Sequence, residues 1–112
     1  DRSHLMKCIR SFSIRTGRPV YITLGEDGIL CDDLESVHHI PGISVPDPID
    51  IVGAGDSASA AIVSALCADA TYVDAGMMGV LASSITIQQL GTTGTADPGQ
   101  IIDRFDELNS KR

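Results

Sequence analysis

The sequence has no tryptophan and only two tyrosines and two phenylalanines, so bulky rings cannot supply its core. Its many alanines and eleven glycines point instead to helices lying close against a sheet, a pattern that suits α/β proteins. The three cysteines, Cys8, Cys31 and Cys67, are odd in number and show no CxxC spacing, so reduced thiols in a cytoplasmic setting are expected. There is no recognisable signal peptide, and no uncharged apolar run reaches the length of about 18 residues that membrane insertion needs. Positive charge is scarce as well: eight Lys and Arg stand against fifteen Asp and Glu, a net charge of −7. Lys7, Arg10, Arg15 and Arg18 form the one basic grouping, thinly spread and expected to be solvated. They make no stripe that could displace counterions from nucleic acid. An anion must then be held by backbone N–H groups, a helix N-terminus and a bridging cation.

With 43% hydrophobic residues in a chain of 112, the sequence has material for one core and not for two. Residues 1–16 read as a helix, because Leu5, Met6, Ile9 and Phe12 recur at three- and four-residue steps. Gly17 supplies the helix stop. The pattern is already under way at Asp1, which reads as a cut. Residues 19–24 read as a strand with Pro19 at its start, 25–28 as a turn, and 29–31 as the return strand. A solvated acidic turn, Asp32, Asp33 and Glu35, leads to a strand over 37–40. His38 and His39 are adjacent on that strand and point to opposite faces, which argues against a shared metal. Pro41, Gly42, Pro46 and Pro48 then punctuate a loop.

Residues 56–70 are almost continuously small or apolar and predict a helix buried on most sides, with Cys67 as a core residue. A second helix of small residues spans 73–89, where Met77 and Met78 are expected to pack, and Gly91–Thr95 reads as a loop. Asp97, Pro98 and Gln100 form a helix start, with Asp97 as N-cap and the Gln100 side chain reaching back. Ile101, Phe105 and Leu108 give that last helix one apolar stripe. Two helices that are apolar nearly all round need more sheet than these strands supply. The rest is expected in a missing N-terminal part of the chain, or in another copy.

The stretch Asp50-Ile51-Val52-Gly53-Ala54-Gly55-Asp56 enters the first buried helix from the proline-rich loop. Glycines at 53 and 55 let successive N–H groups turn outward as an anion nest, and the helix N-terminus adds its positive end. Asp56 is expected at or near the N-cap, aimed into the same space. It can serve as a helix cap, or as a carboxylate beside an acceptor hydroxyl during phosphoryl transfer. An ordinary carboxylate, pKa about 3.9, is a weak base for an alcohol. It suffices when the transition state is loose and positioning dominates. Intramembrane aspartyl proteases also carry a glycine-x-glycine-aspartate core, but their chemistry needs membrane spans.

This stretch is similar to the aspartate-threonine-x-glycine-alanine-glycine-aspartate motif of the ribokinase/PfkB carbohydrate kinases. The resemblance extends to Thr23-Leu24-Gly25-x-x-Gly28 upstream and Gly91–Thr95 downstream. It implies a three-layer αβα, Rossmann-like fold of ribokinase type, with residues 1–112 as the C-terminal, nucleotide-binding and catalytic-base part of the kinase domain. It also implies Asp56 as the base and Gly53, Ala54 and Gly55 as the anion hole. Thr23 and Gly25 would face the ATP phosphates, and Gly28 the nucleotide; an ordinary hairpin with turn glycines explains the same residues. Val80 and Ala82 would border the adenine, unless they are simply core.

Asp50 would help to bind a monovalent cation, K⁺, with the carbonyls of Val52, Thr86, Gln89 and Gly91 and the hydroxyl of Thr95. A plain Asx-turn at Asp50 is the alternative. Two positions depart from the family pattern: Ile51 replaces the common threonine, and Ala58 stands where phenylalanine is frequent. The implied function is ATP- and Mg²⁺-dependent phosphorylation of a hydroxyl on a sugar or sugar-like small molecule. The alternative is a non-catalytic nucleotide-binding or interaction fragment of such a fold.

Overall fold

The computed structural model describes residues 2–91 and 94–110. Thr92 and Thr93, inside the expected 91–95 loop, lie outside the described residues. Helix α1 (Arg2–Thr16) leads into a hairpin of β1 (Val20–Thr23) and β2 (Ile29–Asp32), joined through one 3-10 turn at Gly25–Asp27. Strand β3 (Val37–Ile40) follows, then helices α2 (Ala54–Cys67), α3 (Tyr72–Thr86) and α4 (Pro98–Ser110). The sheet is antiparallel in the order β1-β2-β3, with Thr23 opposite Ile29 and Ile29 opposite Ile40. No helix among the described residues is long and apolar enough to cross a membrane.

All four residues of the central strand β2 are buried, because both of its faces are covered. Side chains alternate along a strand. Ile29 and Cys31 join Ile40, Ala58, Ile62, Ala75 and Val80 in the core beneath α2 and α3. Each large aliphatic side chain buried there contributes roughly 1.5–3 kcal/mol. Leu30 and Asp32 point the other way, where α1 lies. The result is the expected α-β-α layering.

Asp32 corrects the reading of a solvated acidic turn: its side chain is 0% exposed. It accepts from Arg10 Nη1 at 2.8 Å, the Ser13 hydroxyl at 2.8 Å and the Leu34 amide at 2.9 Å. Arg10, expected in solvent, is therefore half-buried over the sheet, and it also donates to the Leu34 carbonyl. This pairing sets the rotation of α1. Ile9 and Ser13, four residues apart, turn to the sheet, while Phe12 is left 58% exposed instead of joining the apolar stripe. The helix stops as expected, with Gly17 at φ +65° and its amide on the Ser13 carbonyl at 2.8 Å.

The β2–β3 turn is closed by Asp33, which accepts from the amides of Ser36 and Glu35 and lies 2.7 Å from His38 Nε2. Those two N–H groups, and then His38, hold the Asp33 carboxyl down at about 2. His39 instead donates to the Asp27 carbonyl, so the two histidines serve different turns. Among the described residues, no group of three His, Cys, Asp or Glu side chains is placed to hold a metal.

Helices α2 and α3 form a close antiparallel pair. A Cβ on Gly79 would stand 2.9 Å from Ile62 Cγ1, and one on Gly76 would stand 2.3 Å from Ile40 Cδ1. Glycine at both positions is thus what lets α3 approach α2 and the sheet. Of the two, only α3 is buried on most sides. Helix α2 buries only Ala58 and Ile62, and Val63 and Cys67 are exposed, contrary to the sequence reading. Its small residues line a face that this chain leaves open. The buried thiol is Cys31, which burial pushes up to about 11.

Candidate active site

A cavity of about 590 Å³ opens where the β1–β2 hairpin meets the start of α2. Thr23, Gly25 and Gly28 come to it from the hairpin, Ala54 and Gly55 from α2, and Val80 and Ser84 from α3. Its volume lies in the range of ordinary ligand pockets, about 300–1,000 Å³. A larger, more open cavity of about 870 Å³ sits at the opposite end of the hairpin, beside Arg18, Asp33 and Asp69, away from all of these residues.

Helix α2 starts earlier than expected. Gly53 is its N-cap, in the left-handed region at φ 84°, so Asp56 is the third helical residue and not the cap. This placement has a chemical consequence. An N-cap carboxylate is occupied by first-turn amides, whereas the Asp56 side chain is exposed and, among the described residues, has no hydrogen-bond or ion-pair partner. The Ala54 amide closes a turn onto the Ile51 carbonyl at 3.1 Å. The amides of Gly55 and Asp56 lie in the first turn, where no acceptor within the helix exists. Asp56 itself lies outside the cavity lining, one residue past Gly55.

The glycines at this site have different causes. Gly28 is needed by the protein: a Cβ there would stand 2.0 Å from the Ile40 carbonyl oxygen. Gly42, read from the sequence only as loop punctuation, is locked in the same way against the Glu26 carbonyl. Gly53 is explained by its backbone conformation. Gly55 has neither reason: its φ is ordinary, and nothing lies within 4 Å of a Cβ placed there.

Asp50 is held between two segments. Its amide donates to the Ile87 carbonyl at 2.6 Å, Oδ1 accepts from the Val52 amide at 3.0 Å, and Oδ2 accepts from the Gly91 amide at 3.2 Å. The Gln89 side chain pairs with both backbone groups of Thr95, at 2.6 and 2.8 Å. Gly94 presses so closely on Thr86 that a Cβ would stand 2.7 Å from its carbonyl oxygen. Asp50, Val52, Thr86, Gln89, Gly91 and Thr95 are thus gathered at the base of the loop, outside the cavity lining. The Asx-turn is real, and it is also the anchor of this cluster.

Val80 borders the cavity as expected, but Ala82 is buried elsewhere along α3. Ile51, in place of threonine, is exposed at the rim, and Ala58 forms part of the floor. Sequence reasoning missed the wall formed by Ile43, Ser44 and Asp47, and also Ser83 and Ser84. No local signal marks them, since a loop residue becomes a wall only by folding back over the sheet.

Comparison with known proteins bears on the family and the fold. A ribokinase from Lactococcus lactis subsp. lactis (strain IL1403) is 33% identical over 73 residues, covering 65% of this chain and 24% of that protein. The solved ribokinase of Thermotoga maritima superposes with a TM-score of 0.80 at 23% identity, over 90% of this chain and 34% of that one. The ribokinase of Cryptococcus neoformans var. grubii serotype A, solved in complex with ADP, gives 0.70 at 26% identity, over 77% and 29%. The chain spans about a quarter of the length of the curated relative and about a third of the solved ones. Residues 1–98 match the pattern of the pfkB family carbohydrate kinases, and the chain belongs to that family.

Proposed function

We propose that residues 1–112 are the C-terminal, nucleotide-binding and catalytic-base part of an ATP-dependent kinase acting on a hydroxyl of a sugar or sugar-like small molecule. The observation that carries this reading is Gly55, a glycine in the first turn of a helix that neither its backbone nor its neighbours require. In a helix, glycine costs about 1 kcal/mol relative to alanine. Open space over its Cα, on the cavity lining and beside free amides, suits the close approach of a phosphate. The free carboxylate of Asp56 lies one residue further on.

Mg·ATP, when bound, supplies the transferable phosphoryl group. Thr23 and Gly25 flank the phosphates from the hairpin, and the first-turn amides of Gly55 and Asp56 stabilise the charge that develops during transfer, the Ala54 amide being taken by the Ile51 carbonyl. Asp56 takes the proton of the acceptor hydroxyl and orients it. The acceptor itself is expected to be held largely by parts of the kinase domain outside this chain. Exposed Phe12 and Ile14 on α1, and the open face of α2, suit contact with those parts. The short span of the match favours a second reading for these residues taken alone, that they bind nucleotide without turning it over. Measuring ADP affinity by calorimetry, separately from phosphorylation of a sugar panel, distinguishes the two.

Gly55→Ala sharpens the test. It should raise stability by about 0.4–1 kcal/mol, since the backbone there accepts alanine. Nucleotide affinity should fall about tenfold, or ~1.4 kcal/mol. A more stable variant with unchanged affinity would sink the reading of Gly55 as a phosphate contact.

The same reading places a monovalent cation such as K⁺ beside Asp50, whose carboxylate is fixed by the Val52 and Gly91 amides at the base of the loop that also carries Thr86, Gln89 and Thr95. The cation would hold the loop beside the anion hole in shape. In K⁺ the melting temperature should exceed that in a bulky organic cation of equal ionic strength by about 5 °C. Asp50→Ala should abolish the difference. Equal melting of the unmodified protein in both salts excludes the site.

A further inference from the structure

Helix α4 lies almost wholly beyond the residues that match the family, yet it is bonded to the wall of the cavity. Its start is fixed locally: the Asp97 side chain accepts from the Gln100 amide, and the Gln100 side chain accepts from the Asp97 amide, each at 2.9 Å. One turn later Arg104, with a side chain only 15% exposed, crosses to α3. Its Nη1 donates to the Ser84 carbonyl at 3.1 Å and to the Ser84 hydroxyl oxygen at 2.9 Å, and its Nη2 donates to the Gln88 side chain at 2.5 Å. Glu107 lies 3.5 Å from Nε and is largely exposed, so it is the weaker partner.

The place where these bonds land gives them meaning. The Ser84 carbonyl belongs to the last turn of α3, the helix's negative end; there the Ser83, Ile85 and Thr86 carbonyls receive the amides of Ile87, Gln88 and Gln89, and that of Ser84 receives Arg104. A guanidinium spreads its donors over a rigid planar fork, so two nitrogens reach a carbonyl, a hydroxyl and an amide side chain at once, whereas a lysine gathers its three donors on one flexible atom. Ser84 is buried and lines the cavity. Just beyond Ser84, the Ile87 carbonyl receives the Asp50 amide, and Gly91 returns a bond to the Asp50 carboxylate. Asp50 begins the loop that ends at Gly53–Asp56.

We propose that Arg104 is a positioning residue for the nucleotide site. It clamps the C-terminal turn of α3, Ser84–Gln88, and through the Ile87–Asp50 contact it holds the loop that presents the first-turn amides of α2. Its effect on ligand rests on the nucleotide-binding reading above; the clamp itself can be measured without ligand.

The experiment compares amide hydrogen exchange at Asp50 and Gly91 with ADP affinity, in the unmodified chain and in four variants. Arg104→Met should speed exchange at both amides about tenfold and weaken ADP binding about tenfold. Arg104→Lys should recover part of both. Gln88→Ala, a change at an exposed residue that removes one of the clamp bonds, should act in the same direction with smaller size, and it carries the test if Arg104→Met does not fold. Ile101→Ala trims the same helix without touching the clamp and should leave both readouts unchanged. Unchanged exchange in Arg104→Met and Gln88→Ala, with ADP still bound by the unmodified chain, overturns the clamp alone. An unmodified chain that binds no ADP overturns the nucleotide-binding reading of these residues, and with it the role of Arg104 toward nucleotide.

Discussion

Asp56→Asn is expected to lower phosphoryl transfer by at least about 10²-fold, the low end for loss of a general base. The amide keeps the shape of the side chain and, on the proposed mechanism, loses the site that takes the proton. Nucleotide affinity should change little, because the donors proposed for the phosphates are backbone groups of Gly55 and its neighbours. Stability should change little as well. Asp56 is exposed and caps nothing, so the variant loses only the attraction between a negative charge and the helix N-terminus, about 0.3–1 kcal/mol. These three readouts together separate a base from a helix-stabilising acid. The latter would show a drop in stability with turnover intact, and that outcome removes Asp56 from the mechanism. Asp56→Glu adds a control, because displacing the carboxylate by about 1 Å should itself cost up to about 10²-fold where positioning dominates.

The largest effect on stability is expected at Asp32. Asp32→Ala leaves the Arg10 guanidinium, the Ser13 hydroxyl and the Leu34 amide facing an apolar gap. Breaking a buried pair by removing one partner costs about 3–5 kcal/mol; Arg10 can reach solvent, so the low end of about 3 applies. With a chain of this size, that loss should lower the melting temperature by roughly 12–24 °C. Asp32→Asn should cost less, because its carbonyl oxygen still accepts. Replacing both partners, Arg10→Met with Asp32→Leu, should recover most of the loss, since no buried charge then remains and Ser13 can donate to the Arg10 carbonyl at 3.1 Å. If Asp32→Ala melts within about 2 °C of the unmodified protein, well under the roughly 4–8 °C expected per kcal/mol, Asp32 does not anchor α1 to the sheet.

Features whose physics closes within a few residues were legible in the sequence. Gly17 ends α1 because only a nearby left-handed residue can close onto the Ser13 carbonyl. Asp97 and Gln100 start α4 by bonding each other. The β1–β2 hairpin and the glycine-bounded stretch ahead of Asp56 were visible for the same reason, as was the resemblance that placed the candidate site there. What the sequence could not decide was which side chains face each other across elements. Asp32 reads as a turn acid until Arg10 and Ser13 are seen above it, 22 and 19 residues earlier in the chain. Phe12 reads as core until that ion pair rotates α1. The small residues of α2 and α3 look alike in sequence, yet only α3 lies between the sheet, α2 and α4, so only α3 is enclosed. The free carboxylate of Asp56 depends on the helix starting at Gly53, three residues sooner than an aspartate cap would place it. Tertiary contact decided these points because burial and pairing depend on the partner surface, and distant parts of the chain supply that surface.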